Sequence, residues 1–327
     1  MKSFIEQFPY QLEEAYTNAF KFEFNGNQKD FQNVVILGLG GSAFGGELIK
    51  NYCERTLPIP VIIVRDYTIP NFVSQNSLVI ASSYSGNTEE TLSAFQQSLE
   101  AGANIVCITS GGKLLDFAKN YRLSYIQLPL GYPPRAAAGF SFISKLCIIN
   151  KLSLIPDFHK DFQESLQFLH SFSDWNNVYE MVEFFYGKIP VIYSSPSNES
   201  VAIRLRQQIQ ENSKQLCWHH VIPEMNHNEL VGWELPLHLL TQTHVLIIRS
   251  SYDHQRIQYR MDFVKEKLQS KQVSVSELHL KGNNRMSQLL YGIHWSDWVS
   301  YYLAEKNQVD PSPVAVIDEL KNSLAAK

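Results

Sequence analysis

The sequence predicts an α/β protein made of two doubly wound parallel-sheet domains, each with helices on both faces of its sheet. Short apolar runs rich in β-branched residues, typical of strands buried on both faces, alternate with helical stretches, which implies crossover connections between parallel strands. The order of strand, Ser-rich or Gly-rich loop and helix occurs in both halves of the chain. The length of 327 residues agrees with two domains, which we place at residues 1–153 and 154–327.

The first half begins with a predicted amphipathic helix at residues 4–20, where apolar side chains recur at helical spacing. Buried strands are then predicted at residues 34–39, 61–64, 78–81, 105–108 and 125–128. The helices predicted between these strands lie at residues 43–53, 89–100 and 114–120.

An apolar helix predicted at residues 136–154 leads into the second half. The strands predicted there lie at residues 191–194, 244–249 and 275–280, and the helices at residues 200–213, 254–270, 286–305 and 309–324. Trp295, Trp298 and Tyr302 fall at helical spacing, which favours a core or dimer-facing helix over a stacking platform for sugars or bases.

The composition is that of a folded protein with a mild negative charge. Hydrophobic residues make up 44% and charged residues 18%, which excludes wholesale disorder. The net charge of −4 gives no general attraction for nucleic acid or an anionic membrane, and no apolar run approaches the ~20 residues of a spanning helix. The N-terminus lacks the apolar stretch of a signal peptide. We therefore expect a cytoplasmic protein with no nucleic-acid or membrane partner.

A glycine-rich segment, GLGGSAFGG at residues 38–46, follows the first predicted strand and opens a helix. Gly40, Gly41 and Ser42 would let the backbone approach an anion at the helix N-terminus, where free N–H groups and the helix dipole favour negative charge. A dinucleotide site fits poorly, because the third glycine of the G-x-G-x-x-G pattern would fall at Ala43. A smaller anion and a plain tight turn remain as interpretations.

A second segment, SSYSGNTEET at residues 82–91, also follows a strand and precedes a helix. Ser83, Ser85 and Thr88 bring three hydroxyls to this turn, and together with free helix N–H groups they would form a neutral phosphate cradle. An ordinary capping turn is the alternative for this segment alone. Two such loops at the carboxyl ends of neighbouring strands favour the phosphate site.

The two loops together resemble those of the sugar isomerase (SIS) domain, whose Ser/Thr loop holds the phosphate of a phosphosugar. Four further segments narrow the resemblance to the bifunctional phosphoglucose/phosphomannose isomerase family, over essentially the whole chain: PPRAA at residues 133–137, ENSK at 211–214, EMNHNE at 224–229 and the tail DPSPV…LK. The resemblance implies two SIS-type domains and no cofactor. The implied activity interconverts glucose 6-phosphate, and also mannose 6-phosphate, with fructose 6-phosphate through a cis-enediolate.

The resemblance also implies roles for single residues. Glu211 matches the base that moves the proton, and His227 matches a ring-opening residue contributed to the partner subunit's site in a homodimer. Arg135 would lie at the C1 and C2 oxygens, and Lys321 would assist ring opening. The local sequence alone also fits ordinary surface roles for these four residues. Glu211 and Lys321 could be solvated residues at helix ends, His227 a loop histidine and Arg135 a surface arginine.

Several alternatives stay open at this point. His219, His220, His227 and Glu229 are close in sequence, but no H-E-x-x-H or comparable ligand spacing is present and the four cysteines are far apart, so we expect no metal. A non-catalytic phosphosugar regulator and a different SIS-type isomerase are the competing functions. After Ser312 the tail before Lys321 has no hydroxyl-bearing residue, which leaves activity on both sugars an open question.

Overall fold

Nine strands form two entirely parallel sheets in the computed structural model, which describes residues 1–26 and 30–326. The strands are β1 (Asn33–Leu37), β2 (Val61–Val64), β3 (Ser77–Ser82), β4 (Asn104–Thr109), β5 (Ser124–Gln127), β6 (Ile189–Ser194), β7 (Trp218–Val221), β8 (Thr243–Arg249) and β9 (Ser274–His279).

Helices precede, connect and follow these strands. They are α1 (Lys2–Glu6), α2 (Phe8–Phe20), α3 (Gly40–Tyr52), α4 (Glu89–Glu100), α5 (Gly112–Asn120), α6 (Ala138–Lys151), α7 (His159–His170), α8 (Trp175–Phe185), α9 (Glu199–Asn212), α10 (Glu229–Gly232), α11 (Leu237–Leu240), α12 (Gln255–Ser270), α13 (Arg285–Lys306) and α14 (Ala315–Ala325).

The first sheet has the strand order β2-β1-β3-β4-β5. The chain runs from β1 to β2 on one side and then returns to place β3 on the other side of β1. The order therefore reverses between β1 and β3, and in sheets of this kind ligands bind at the carboxyl ends of the strands at such a reversal. The core on this sheet includes Val35, Leu37, Val79, Phe95 and Leu114.

The second sheet repeats this arrangement with the order β7-β6-β8-β9. Here the reversal lies between β6 and β8, and the core includes Tyr193, Ile222, Met225, Val245 and Met261. The predicted fold class is confirmed, and all predicted strands are present with ends within two residues of the expected ones. Strand β7 is missing from the prediction because Trp218 is exposed, His219 and His220 are only partly buried, and these residues do not form an apolar run.

Two helix predictions were wrong in detail near proline. The single helix expected at residues 4–20 is two helices that break at Gln7, with Pro9 in the first turn of α2. The apolar helix expected from residue 136 begins at Ala138, after a 3-10 turn over Pro134–Ala137. In the aromatic stretch of α13, for which a core or dimer-facing helix is predicted, Trp295 and Trp298 are buried in the core and Tyr302 is partly buried.

The chain divides into two compact units. The first unit comprises Glu6–Ser171 and Gly282–Leu289, and the second comprises Met1–Ile5, Phe172–Lys281 and Leu290–Lys327. The domain boundary expected between residues 153 and 154 stays a prediction. Within the part of the chain that the structure describes, no helix combines the length and apolarity needed to cross a bilayer.

A buried ion pair joins α9 to α13 in the second unit. Arg204 Nε and one terminal nitrogen each donate to a different carboxylate oxygen of Asp297 at 2.7 Å. Gln208 donates to the same carboxylate at 3.0 Å, and burial raises the pKa of Asp297 above its usual value. One turn further on, Asn212 donates to Ser300 Oγ at 3.0 Å. These bonds fix the last turn of α9, the turn that carries Glu211.

Replacing Asp297 by alanine is expected to lower the free energy of unfolding by about 3–5 kcal/mol, because Arg204 is left buried without its counter-charge. Urea denaturation at neutral pH measures this loss. Glu234→Ala is the matched control, since it removes the exposed pair with Lys271 and should cost at most about 1 kcal/mol. Equal losses in the two variants would contradict a dominant role for the buried pair.

Candidate active site

The first predicted anion loop is where β1 turns into α3. Leu39 precedes the helix and makes no side-chain cap. In the described part of the chain, the amides of Gly40 and Gly41 donate no hydrogen bond, while the Ser42 amide donates to the Leu39 carbonyl at 3.0 Å. The start of α3 therefore offers free N–H groups to an anion.

The second predicted loop, between β3 and α4, is held by hydrogen bonds among its own hydroxyls. Ser83 Oγ and Thr88 Oγ1 are 2.9 Å apart, and Ser83 Oγ accepts from the Gly86 amide at 3.1 Å. Ser85 is exposed, and its hydroxyl accepts from the Asn87 amide at 3.3 Å. This loop carries hydroxyls that can turn toward a ligand oxygen.

Gly86 fixes the sharp bend of the second loop. Its φ of +71° lies in the left-handed region, and a Cβ there would lie 1.8 Å from the Gly111 carbonyl oxygen. No other residue fits this turn without moving the loop after β4. The loop is thus held by the backbone of its neighbour as well as by its own side chains.

Both loops meet at one edge of the first sheet, because β1 and β3 are adjacent and parallel. A Cβ on Gly38 would lie 2.7 Å from the Ser82 carbonyl oxygen, so the two loop starts touch. The six predicted phosphate-binding residues are therefore brought together: Gly40, Gly41, Ser42, Ser83, Ser85 and Thr88. Their role as phosphate ligands stays a prediction at this point.

Lys145 on α6 lies behind these loops, and the sequence reasoning missed it. Its Nζ donates to Ser82 Oγ at 2.9 Å, to Ser141 Oγ at 2.7 Å and to the Ser141 carbonyl at 3.2 Å. The side chain is fully buried, and burial lowers the pKa of Lys145 to about 7. A lone lysine in the apolar stretch FSFISKLCII at residues 140–149 was the available signal.

Arg135 lies on the 3-10 turn before α6 and is buried. A Cβ on Gly41 would lie 2.5 Å from the Pro134 carbonyl oxygen, so this turn packs directly against the first loop. The structure thus places Arg135 in the same unit as the first loop and next to it, and its role at the C1 and C2 oxygens stays a prediction.

The corresponding loops of the second unit are already filled by a carboxylate. Asp253, in the loop after β8, accepts from Ser195 Oγ, from Asn198 at 2.8 Å and from the Ser250 amide at 2.7 Å. Ser195 and Asn198 lie in the loop after β6, the strand next to β8. An acidic side chain here occupies donors that an anion would need, so among the described residues the open pair of loops is that of the first unit.

Glu211 is half-buried in the last turn of α9. Lys214, three residues on, donates to the Glu211 carbonyl and to the Pro313 carbonyl, the latter at 2.8 Å. The ENSK and DPSPV segments, far apart in sequence, therefore meet in the second unit. Lys321 on α14 is largely exposed, and its Nζ lies 3.8 Å from Asp318.

His227 ends an exposed 3-10 turn, Glu224–His227, whose Met225 is buried beneath it. In the described residues the His227 ring makes no hydrogen bond or ion pair. Glu229 anchors the turn, since it accepts from Tyr193 and lies 2.6 Å from His220 Nδ1. The second unit thus presents His227 on its surface.

The histidines near His227 do not converge on one point. His219 faces Glu199 at 3.7 Å, whereas His220 bonds to Glu229. Among the described residues, no group of three or more histidine, cysteine or acidic side chains has the spacing to hold a metal ion.

Comparisons with known proteins agree with this geometry. Residues 29–116 match a model of the SIS domain, and residues 175–324 match a model described as the bacterial phospho-glucose isomerase C-terminal SIS domain. A bifunctional phosphoglucose/phosphomannose isomerase of Caldicellulosiruptor bescii is 40% identical over 98% of this chain and 98% of its own. The chain belongs to the bifunctional phosphoglucose/phosphomannose isomerase family.

A second relative and a solved structure extend the comparison. The isomerase of the same name from Aquifex aeolicus is 37% identical over 96% of this chain and 98% of its own length. The C-terminal domain of glucosamine-fructose-6-phosphate aminotransferase from Francisella tularensis superimposes with a TM-score of 0.72 at 15% identity, over 95% of this chain and 98% of that one, which shows a shared fold. The family indicated by the sequence motifs is confirmed.

The pKa of Lys145 should appear in the pH dependence of folding. Lysine in the unfolded chain titrates near its ordinary value, about 10.4, so between pH 7 and pH 10 the unfolded state binds more protons than the folded state. The unfolding free energy of the wild type relative to Lys145→Met should therefore rise by about 2 kcal/mol from pH 7 to pH 9. Denaturation by urea at both pH values measures it. A difference that does not change with pH would mean that Lys145 keeps its ordinary pKa.

Proposed function

We propose that this chain is an aldose–ketose isomerase that interconverts glucose 6-phosphate, and mannose 6-phosphate, with fructose 6-phosphate. The proposal is carried by the open pair of hydroxyl and amide loops where the order of the first sheet reverses, in a chain of the bifunctional phosphoglucose/phosphomannose isomerase family. Transfer of a proton from carbon is slow without a catalyst, so the enzyme must supply a base. It must also bind the phosphate and open the sugar ring to expose the carbonyl group.

The two loops bind the 6-phosphate. The free amides of Gly40 and Gly41 and the positive end of α3 face the anion from one side, and the hydroxyls of Ser83, Ser85 and Thr88 bind it from the other. Phosphate binding is the same in the ground state and the transition state, so these groups determine affinity more than the rate of the chemical step.

Glu211 is the base. Its carboxylate takes the proton from C2 of the open-chain aldose, the electron pair of the C–H bond forms the C1–C2 double bond, and the enediolate results. The same carboxyl then returns its proton to C1, while the hydroxyl proton passes from O2 to O1, and the ketose is formed. The bonds of α9 to α13 through Arg204 and Asn212 fix the helix turn that carries Glu211.

Three further residues complete the reaction. Arg135 stabilises the negative charge that develops on the C1 and C2 oxygens, and its two preceding prolines restrict its backbone. His227 moves a proton to the ring oxygen, a step suited to an imidazole near neutral pH. Lys321 assists the same ring-opening step.

The active form is a homodimer in which His227 serves the partner subunit's site. Three apolar side chains close to His227 in sequence are largely exposed: Val231 at 74%, Leu235 at 73% and Leu237 at 68%. Apolar side chains clustered at this exposure are typical of an interface with another protein surface. A second copy covering this segment would bring His227 against the partner.

The assay of the purified protein with each substrate tests the proposal. Glucose 6-phosphate and mannose 6-phosphate should both be converted to fructose 6-phosphate, and glucose without its phosphate should not react. Formation of fructose 6-phosphate from neither substrate would contradict the proposed function. Conversion of glucose 6-phosphate alone would limit it to one sugar.

Glu211→Gln is expected to lower kcat by at least about 10²-fold with KM little changed, because the amide keeps the size of the side chain but cannot accept the C2 proton. Steady-state kinetics with glucose 6-phosphate measures both constants. Glu319→Gln, in the exposed helix α14, is the control and should keep wild-type kinetics. A Glu211→Gln enzyme within a few-fold of wild-type kcat would assign the base to another residue.

Mixed dimers test the shared site. Inactive Glu211→Gln and inactive His227→Ala proteins, mixed in equal amounts under conditions that exchange subunits, should regain about a quarter of wild-type activity, because one site in each heterodimer has an intact carboxylate and an intact imidazole. No recovery despite demonstrated exchange, or activity in monomers, would place His227 in the site of its own chain.

A further inference from the structure

Lys145 is a buried lysine without an acidic partner among the described residues. Its ammonium nitrogen has three partners, two serine hydroxyls and one carbonyl, and all three are neutral. In the part of the chain that the structure describes, it makes no ion pair. Burying an unpaired charge is costly, so such a group is either neutral or balanced by a charge that arrives from outside.

The partners of Lys145 connect it to both phosphate loops. Ser82 is the residue directly before Ser83, whose hydroxyl belongs to the second loop. Ser141 Oγ also lies 3.3 Å from the carbonyl oxygen of Ser42 in the first loop. The ammonium group is therefore one residue away from each loop.

The close packing of α3 against α6 leaves room for Ser141 next to Gly45. A Cβ on Gly45 would lie 2.4 Å from Ser141 Oγ, so only glycine at this position of α3 leaves room for the serine that Lys145 holds. The arrangement of Gly45, Ser141, Lys145 and Ser82 thus forms one continuous chain of contacts behind the two loops.

We propose that Lys145 is a positioning residue of the phosphate site, which holds the two loops together through Ser82 and Ser141 and supplies the positive charge that a bound phosphate dianion balances. This inference rests on the proposed function, since it requires a phosphosugar on the loops. It also explains how loops without lysine or arginine side chains can bind a dianion firmly.

The protonation of Lys145 should respond to a bound phosphate, because burial, and no neighbouring charged group, determines its pKa in the free protein. The lowering of its pKa to about 7 comes from burial alone. In the described part of the chain, Lys145 makes no hydrogen bond or ion pair with the titratable groups on α6 and on the elements packed against it. These groups are Tyr10, Glu13, Glu14 and Tyr16 on α2, Glu47, Lys50 and Tyr52 on α3, Arg135 on the 3-10 turn, and Cys147 and Lys151 on α6. Strand β3 carries no titratable side chain. A dianion at the loops should raise the pKa of Lys145 and cause uptake of a proton at pH 8.

Calorimetric titration with sorbitol 6-phosphate tests the inference, because this reduced analogue carries the phosphate but no carbonyl and cannot be isomerised. The titration is run at pH 8 in two phosphate-free buffers of different ionisation enthalpy, and the wild type should take up a large fraction of a proton on binding. The ligand is already a dianion at this pH, so the protein and not the ligand accounts for the change in protonation. Lys145→Met should bind at least about ten-fold more weakly and take up no proton. Lys151→Met, a change at the exposed end of the same helix, should match the wild type.

A second measurement uses the wild type alone, in case Lys145→Met does not fold. In protein labelled with ¹³C at lysine Cε, one lysine signal should titrate near pH 7 in the free protein and at clearly higher pH with the analogue bound. Unchanged affinity in a folded Lys145→Met, no proton uptake, or no lysine titrating near pH 7 would overturn the role of Lys145. Absence of binding by the wild type would instead refute the proposed function.

Discussion

The close approach of α6 to α3 is the constraint on which the candidate active site depends. Glycines at positions 41 and 45 remove side chains from the face of α3 that meets the 3-10 turn and α6. That approach lets Ser141 reach the Ser42 carbonyl and lets Lys145 reach Ser82. The loop after β1 and the loop after β3 are thereby fixed from behind, while their amides and hydroxyls stay available in front. A side chain at position 45 would separate the helices and disturb both loops together.

The two sheets use the same topology for different purposes. In the first, donors at the reversal of strand order are left open, and the buried Lys145 lies next to them. In the second, the carboxylate of Asp253 accepts hydrogen bonds from both corresponding loops, so the donors are satisfied within the protein. In the second unit the α9–α13 contacts fix the turn that carries Glu211, and His227 lies on a surface turn. In the mechanism we propose, the first unit binds the phosphate and the second supplies the groups that move protons.

Much of this organisation could be predicted from the sequence, because buried parallel strands and Ser/Gly loops give strong local signals. The carboxyl-end loops around Ser42 and Ser83 were found for that reason. Strand β7 was not predicted, because it is short and partly exposed and its two histidines interrupt the apolar pattern that indicates a buried strand. Lys145 was missed for a different reason: a hydrogen bond to Ser82 across 63 positions leaves no periodic pattern in the chain. The break at Gln7 in the first helix likewise depends on local backbone geometry that apolar spacing does not report.

The mechanism we propose depends on movement of a proton between C2 and C1 of a phosphosugar. Proton NMR of glucose 6-phosphate incubated with the protein in D₂O detects this movement. The wild type should form fructose 6-phosphate and replace the C2 proton of the remaining glucose 6-phosphate with deuterium, because the proton held by Glu211 exchanges with solvent. Glu211→Gln should do neither on the same timescale. Loss of the C2 signal at equal rates in both proteins, or no loss in the wild type, would contradict the claim.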